Sequence, residues 1–162
     1  MSRISRFSAS TMLTPLATLA IFAGLAAPSA VPADEPAFTR TADSAELAWG
    51  PCPAFMPDGC RIAVLHGDPA KPGADVLFML PAGAKAPPHA HTSAERMVLV
   101  SGRMQVAYAG QEPVVMTAGT YAYGPPLREH HASCVSDGDC VLFIAFEGPV
   151  DAFPAGAAAT DH

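Results

Sequence analysis

The sequence predicts an all-β fold, a single antiparallel barrel or sandwich, from three observations. Short runs rich in Val, Met, Phe or Tyr follow one another through most of the chain, and Gly or Pro separates most of these runs. After residue 30, no uninterrupted amphipathic stretch reaches about 10 residues, the length at which a helix becomes the better interpretation. No repeat of roughly 20 to 50 residues occurs, so one barrel accounts for the folded domain.

The individual strands follow from these runs in chain order. A first short strand ends at Gly50, and segment 67–73 is a turn-rich connection that begins and ends with Gly. The Ser-Gly pair at 101–102 and the Ala-Gly pair at 109–110 are turn signals between adjacent runs, which predicts an antiparallel meander in the middle of the chain. The predicted strands are 46–50, 61–66, 75–81, 96–100, 104–108, 113–116, 120–123, 130–135 and 140–146.

Residues 1–30 have the features of a cleaved export signal. Arg3 and Arg6 precede an uncharged apolar run, 12–27, and small residues follow it. A retained anchor helix is the alternative, but the run is short for a membrane span and contains Pro15. We therefore expect a periplasmic or secreted protein, with no stable membrane insertion once the signal is removed.

Three segments follow the predicted signal. Cleavage is expected after Ala30 or Ala33, where small residues precede the cut. Residues 31–45 are polar and rich in Pro and Ala, which predicts a linker, and this linker is long enough to reach a second copy in a homodimer. The barrel domain is predicted over 46–154, and the small and polar residues 155–162 are expected to form a flexible tail.

The charge of the chain excludes one class of partner. The formal net charge is −6 and the only lysines are Lys71 and Lys85. A nucleic-acid backbone or an anionic membrane surface would be repelled rather than attracted. We therefore expect a small-molecule ligand or substrate and no nucleic acid.

The four cysteines form two pairs that are close in sequence. Cys52 and Cys60 enclose a loop that contains Pro and Gly, and Cys134 and Cys140 flank a turn-like Ser-Asp-Gly-Asp segment. We predict a disulfide in each pair, which agrees with export to an oxidising compartment. A zinc site built from all four cysteines is the alternative, but the sequence lacks the tight Cys-x-x-Cys spacing of such sites.

One short stretch carries the residues that can bind a metal ion. His89 and His91 are two residues apart, so both rings point to the same face of an extended strand, and Glu95 follows where the chain can return. His130 is the best candidate for a fourth ligand. Three imidazoles and one carboxylate suit a divalent transition metal, namely Fe, Mn, Ni, Co, Cu or Zn.

The same stretch resembles the first motif of the cupin superfamily. Gly83, His89, His91, Glu95 and Gly102 fall on every signature position of that motif, with the usual numbers of residues between them. The resemblance implies a cupin-type barrel, which is a double-stranded β-helix or jelly roll. The chain is most similar to small, single-domain, exported bacterial cupins of the cupin-2 type.

The second cupin motif is matched only in part. Gly119, Pro125 and His130 fall on their positions, whereas Leu127 stands in place of an inner glycine and Cys134 in place of an asparagine. The leucine predicts a changed turn before His130, because glycine is the usual residue where the backbone must turn sharply. The asparagine is not a metal ligand in this resemblance, so its loss leaves the expected metal site complete.

The resemblance implies a metal centre with three histidines and one glutamate, and it leaves the reaction open. One hypothesis is a metal-dependent enzyme of dioxygenase-like or lyase type that acts on a small organic acid, diketone or phenol. The alternative is a non-catalytic periplasmic cupin that binds a small ligand or a metal. A sugar-epimerase type of cupin is less favoured, because it works without a metal.

Two tyrosines and one further histidine are the remaining candidates. Tyr121 and Tyr123 share one face of the strand that leads to His130, so they are either acid, base or hydrogen-bond donors above the metal or ordinary packing residues on the outside. His131 competes with its neighbour His130 but is expected to face outward. No catalytic residue is identified beyond these candidates.

Overall fold

The computed structural model describes residues 35–156, and the barrel lies in the unit that begins at Thr39. The predicted export signal, most of the predicted tail and the start of the predicted linker lie outside the described residues. Every regular element in the described part of the chain is a strand, and it contains no helix that could cross a membrane. The strands are β1 (Gly50–Pro51), β2 (Arg61–His66), β3 (Asp75–Leu80), β4 (Lys85–Ala90), β5 (Glu95–Ser101), β6 (Arg103–Tyr108), β7 (Val114–Thr117), β8 (Tyr121–Gly124), β9 (His130–Cys134), β10 (Cys140–Phe146) and β11 (Phe153–Pro154).

These strands form two antiparallel sheets that share one core. The first sheet has six strands in the order β1-β2-β3-β10-β5-β8, and the second has five in the order β11-β4-β9-β6-β7. The main core cluster contains buried side chains from both sheets, among them Leu80 and Leu99 from the first and Met104 and Ala132 from the second. The predicted all-β fold is therefore confirmed as two sheets packed around a common apolar interior.

The predicted meander is wrong. β5 pairs with β10 and β8, whereas β6 pairs with β7 and β9, so the chain changes sheet between β5 and β6 and again between β7 and β8. Gly102 makes this crossing possible, because its φ of 83° is in the left-handed region and a Cβ there would lie 2.9 Å from the sulfur of Cys140. Of the strands from β5 to β8, only β6 and β7 form a hairpin.

Two strand assignments also change. Only Gly50 of the predicted strand 46–50 belongs to β1, because Leu47 and Trp49 instead pack against the face of the six-stranded sheet that points away from the main core. β4 is an additional strand outside the predicted runs, and it forms although it contains Pro87 and Pro88, which have no N–H to donate to a ladder. Its pairing with β9 shifts register between Ala86 and His89, which accommodates both prolines.

Both predicted disulfides are present. Cys52 and Cys60 are joined with an S–S distance of 2.03 Å, and Cys134 and Cys140 with 2.08 Å. The second bond connects the end of β9 to the start of β10 and therefore links the two sheets covalently. No described cysteine remains free, which removes the alternative of a four-cysteine zinc site.

Candidate metal centre

The four predicted ligands meet at one end of the barrel. His89 lies near the end of β4, Glu95 begins β5 and His130 begins β9, while His91 follows directly after β4. His89 and His130 are partners in the β4–β9 ladder, which places their side chains next to each other. All four side chains are buried, with relative exposures of 3 to 8%.

The three imidazoles form a compact triangle. Their ring centroids are 4.3 Å apart for His89 and His130, 5.1 Å for His89 and His91, and 5.3 Å for His91 and His130. One ring nitrogen from each histidine lies within 4.8 Å of the others. The carboxylate of Glu95 closes the group, with Oε1 at 3.4 Å from His91 Nε2 and Oε2 at 3.8 Å from His130 Nε2.

Each histidine is held by its other ring nitrogen. The Nδ1 atoms face backbone carbonyl oxygens: that of His89 faces Pro87 O at 2.7 Å, that of His130 faces Arg128 O at 3.1 Å, and that of His91 faces Asp151 O. A carbonyl only accepts, so each Nδ1 carries the proton in the neutral ring. The lone pair is then on Nε2, and a hydrogen bond from the other ring nitrogen to a carbonyl is the usual way in which metal-binding histidines are oriented.

A strap formed by residues 148–154 keeps His91 in place. The carboxylate of Asp151 accepts the Thr92 backbone N–H at 2.9 Å and also the Thr92 hydroxyl, while its backbone oxygen accepts from His91. β11, at the end of the strap, pairs with β4 at Ala90 and His89. The strap therefore orients the side chain and the backbone of this loop together.

Burial determines the protonation of the group. Removal from water lowers the pKa of His89, lowers that of His91 to about 4 and lowers that of His130 to about 3. The same removal from water raises the pKa of Glu95 to about 8, and the negative charge of Asp151 adds to this shift. At neutral pH the histidines of the metal-free protein are neutral and their Nε2 lone pairs are available.

The site fits a divalent transition metal on its own chemistry. His91 Nε2 is buried and has no hydrogen-bond partner among the described residues, although a buried polar atom normally has one. Neutral imidazole nitrogens and one carboxylate oxygen are ligands that suit Fe, Mn, Ni, Co, Cu and Zn, and a bound ion would satisfy this atom.

A cavity of about 250 Å³ adjoins the four predicted ligands inside the barrel. Its wall is mostly apolar and comes from both sheets and from the loop closed by Cys52 and Cys60. Phe55, in that loop, places its ring centroid 6.2 Å from that of His89. The apolar lining includes Met56, Ile62, Phe78, Met97, Met104, Val106, Met116, Leu142, Ile144, Phe146 and Val150.

The structure places the predicted tyrosines away from the predicted metal ligands. Tyr121 and Tyr123 are 59% and 50% exposed, so they occupy the outward orientation that the sequence left open. His131 is also exposed, as expected. The phenol near the ligands is that of Tyr108, whose ring centroid is 5.1 Å from that of His130. No motif marks Tyr108, and only its pairing with His130 in the β6–β9 ladder reveals it.

The turn before His130 forms with Leu127 in the place of the inner glycine. Leu127 has a φ of 59° and is the only residue other than glycine at positive φ in the described chain. Its backbone N–H donates to His91 O at 2.9 Å, and the Arg128 N–H donates to Pro125 O at 3.3 Å. The leucine therefore adopts the left-handed conformation that a glycine would adopt without strain.

Comparisons with known proteins agree with this architecture. The ChrR cupin-like domain family matches residues 39–151 of the chain. No curated protein has a significantly similar sequence.

Solved structures share the fold at low sequence identity. The polyketide cyclase RemF from Streptomyces resistomycificus has a TM-score of 0.60 and 13% identity, over 75% of this chain and 88% of its own. A cupin-2 domain protein from Rhodospirillum rubrum has a TM-score of 0.60 and 12% identity, over 74% of this chain and 82% of its own. The DMSP lyase DddQ from Ruegeria pomeroyi has a TM-score of 0.57 and 17% identity over 67% of this chain, which spans only 61% of the lyase. These likenesses confirm the cupin-type barrel.

Proposed function

Because the chain belongs to the family of ChrR cupin-like domains, we propose that its barrel binds one divalent transition-metal ion and a small organic molecule beside it. His89, His91, His130 and Glu95 would hold the ion, which is one of Fe, Mn, Ni, Co, Cu or Zn. The observation that carries this proposal is the convergence of three neutral imidazole nitrogens within 4.8 Å of one another at a buried carboxylate.

The reaction class that we favour is dioxygenase-like or lyase chemistry. A bound ion supplies Lewis acidity, which polarises an oxygen atom of a ligand in its coordination sphere. The side chains that line the cavity exclude water from this position, and burial keeps a proton on Glu95 at neutral pH in the metal-free protein. A DMSP lyase and a polyketide cyclase share the fold, which makes such chemistry compatible with this barrel.

A non-catalytic binding protein is the second candidate. The described residues that line the cavity include no lysine, arginine or serine, so general acid–base groups other than the proposed ligands are few. Tyr108 and Asp151 are the remaining ionisable side chains there. A barrel that only stores or senses a small ligand needs no further acid–base groups.

We further propose that the protein works outside the cytoplasm, in the periplasm or as a secreted protein. Two disulfides in a chain of this size are typical of an oxidising compartment. The predicted export signal agrees with this location. The homodimer and the absence of a nucleic-acid partner stay predictions.

Metal analysis of the purified protein tests the site. We expect about one ion per chain in the wild type and loss of most of it in His89→Ala and Glu95→Ala, since each variant removes one ligand. His131→Ala is the matched control, because His131 is adjacent to a ligand but exposed, and we expect it to keep its metal. A wild type that takes up no Fe, Mn, Ni, Co, Cu or Zn, or variants that keep a full ion, would refute the proposal.

Oxygen uptake and product analysis separate the two candidates. The metal-loaded protein is mixed with small carboxylates, diketones and phenols, with His89→Ala as the metal-free comparison. Turnover that is lost in His89→Ala supports the enzyme, and tight binding without turnover supports the binding protein.

A further inference from the structure

Tyr108 is a half-buried residue whose hydroxyl oxygen is buried and has no hydrogen-bond partner among the described residues. It ends β6 and pairs with His130 in the β6–β9 ladder, so its ring is brought to the histidine side of the cavity. Its Oη is buried without a hydrogen-bond partner. The only other buried side-chain atom with this property is His91 Nε2, which belongs to the proposed metal site.

The orphaned hydroxyl needs a partner. A buried hydroxyl without a hydrogen bond costs on the order of 1–3 kcal/mol, and phenylalanine would fill the same space without this cost. A tyrosine at this position is therefore best explained by an acceptor that enters the cavity. The side chain is part of the cavity wall together with the four proposed ligands.

Gly124 lies directly beside this hydroxyl, and a larger residue there would crowd it. A Cβ at position 124 would lie 3.2 Å from Tyr108 Oη and 3.1 Å from Glu95 Oε2. Both oxygen atoms therefore face the same point on the backbone of β8. A ligand oxygen that accepts from the phenol would therefore lie close to the carboxylate of Glu95 as well.

The rest of the cavity excludes highly charged ligands. No lysine or arginine is among the described residues of its wall, whereas Glu95 and Asp151 are acidic. A second carboxylate or a phosphate on the ligand would thus be buried without a counter-charge, at a cost of several kcal/mol. The methionine, isoleucine and phenylalanine side chains instead favour an apolar body.

We propose that Tyr108 donates its hydroxyl proton in a hydrogen bond to an oxygen of the ligand, and that the ligand is a small molecule with one oxygen-bearing end, a carboxylate or a ketone, and an apolar body. This inference deepens the proposed function and rests on it for the position of the oxygen-bearing end. The apolar body lies among Met97, Met104 and Met116. Tyr108 is a specificity-determining residue in this account, because it selects an acceptor at this end of the cavity.

Calorimetric titration of Tyr108→Phe tests this assignment. The probes are hexanoate and 2-hexanone, which fit the proposed class, and succinate, which has a second carboxylate. Each is titrated into the metal-free protein and into protein reconstituted with Zn(II), and the zinc content is measured for every variant. Tyr121→Phe is the matched control, because it removes the same hydroxyl from an exposed position.

We expect hexanoate to bind the wild type and to bind Tyr108→Phe about tenfold more weakly or worse, since a hydrogen bond to a charged acceptor is lost. We expect equal zinc content in the wild type and Tyr108→Phe. We expect Tyr121→Phe to bind hexanoate as tightly as the wild type does. Succinate is expected to bind the wild type much more weakly than hexanoate does. A wild type that takes up no metal while Tyr108→Phe still weakens hexanoate in the metal-free form would refute the metal site and support the role of Tyr108.

Three other outcomes overturn the assignment. Equal affinity of wild type and Tyr108→Phe would show that Tyr108 only packs. Loss of zinc in Tyr108→Phe would show that the phenol serves Glu95 rather than the ligand. Succinate that binds as tightly as hexanoate, or a wild type that binds neither hexanoate nor 2-hexanone in either form, would exclude the proposed ligand class.

Discussion

The two ends of the barrel differ in how they are held together. The disulfide end is the place where Cys134 ends β9 and Cys140 begins β10, and the two cysteines are 2% and 0% exposed. The histidine end is the place where His130 begins β9 and Phe146 ends β10, with the Phe146 ring 5.6 Å from that of His91. The same two strands thus connect an end that is closed by a disulfide to an end that has no covalent link.

The two ends contribute to the stability of the metal-free protein with opposite signs. Buried histidines, a buried carboxyl group and an unpartnered phenol each lower the stability of the metal-free protein. The disulfide end contributes in the opposite direction, by constraining the unfolded chain and by packing Gly102 against Cys140. We therefore expect the folded protein to become more stable when a ligand binds at the histidine end.

The largest effect that we predict is that of Glu95→Gln, which replaces the buried carboxyl group. The pKa of Glu95 in the folded protein is raised to about 8 from the ordinary 4.5, so the folded state keeps a proton that the unfolded state loses. As pH rises from 4.5 to 8, the metal-free wild type therefore loses about 1 kcal/mol of stability per pH unit, and glutamine at this position does not. Urea unfolding of both proteins with a chelator at pH 5, 6.5 and 8 checks this.

We expect the stability of Glu95→Gln relative to the wild type to increase with pH through this window. Both proteins keep all three histidines, so the loss of stability that histidine protonation causes at acidic pH cancels in the comparison. A difference between the proteins that is constant from pH 5 to pH 8 would show that Glu95 is not held in its protonated form by burial.

The second test removes the covalent end with the pair Cys134→Ala and Cys140→Ala. A disulfide that closes so short a loop contributes about 2 kcal/mol, and we expect a loss of that size in urea unfolding. Zinc content is expected to stay at the wild-type value, because no ligand touches this disulfide. The pair Cys52→Ala and Cys60→Ala is the comparison, since that disulfide lies in the cavity wall. A large loss of zinc from the variant without Cys134 and Cys140 would show that the disulfide end also supports the metal site.

The sequence predicted the residues of the histidine end better than the path of the chain between the ends. His89, His91, Glu95 and His130 have motif spacing, and the structure brings all four together. Period-two patterns show which residues share a face of a strand but not which strand is its neighbour, so they do not predict the crossing between sheets at Gly102.

Tyr108 shows a second reason for incomplete prediction. It belongs to no motif and is far in sequence from His89 and His130, so only the ladder register between β6 and β9 brings it to the cavity. Tyr121 and Tyr123 had the more suggestive position, but alternation alone did not say which side of β8 faces the core, and they face outward.

The smallest effect that we predict is at the turn that leads into the histidine end, with Leu127→Gly. Leu127 is 60% exposed, so its side chain contributes little burial, while its φ of 59° costs on the order of 1 kcal/mol for a residue with a Cβ. Glycine relieves this strain and loses part of the gain to chain entropy, so we expect a net stabilisation of about 0.5 kcal/mol in urea unfolding.

Leu127→Ala is the matched control for this turn, because alanine removes the exposed side chain but keeps the Cβ that causes the strain. We expect no gain in Leu127→Ala and an unchanged zinc content in both variants, since the N–H that donates to His91 O belongs to the backbone. Gains of equal size in the two variants would locate the cost in the exposed leucine side chain instead. A loss in Leu127→Gly would mean that the leucine stabilises the turn by contacts that outweigh its strain, and the histidine end would then carry less strain than its backbone indicates.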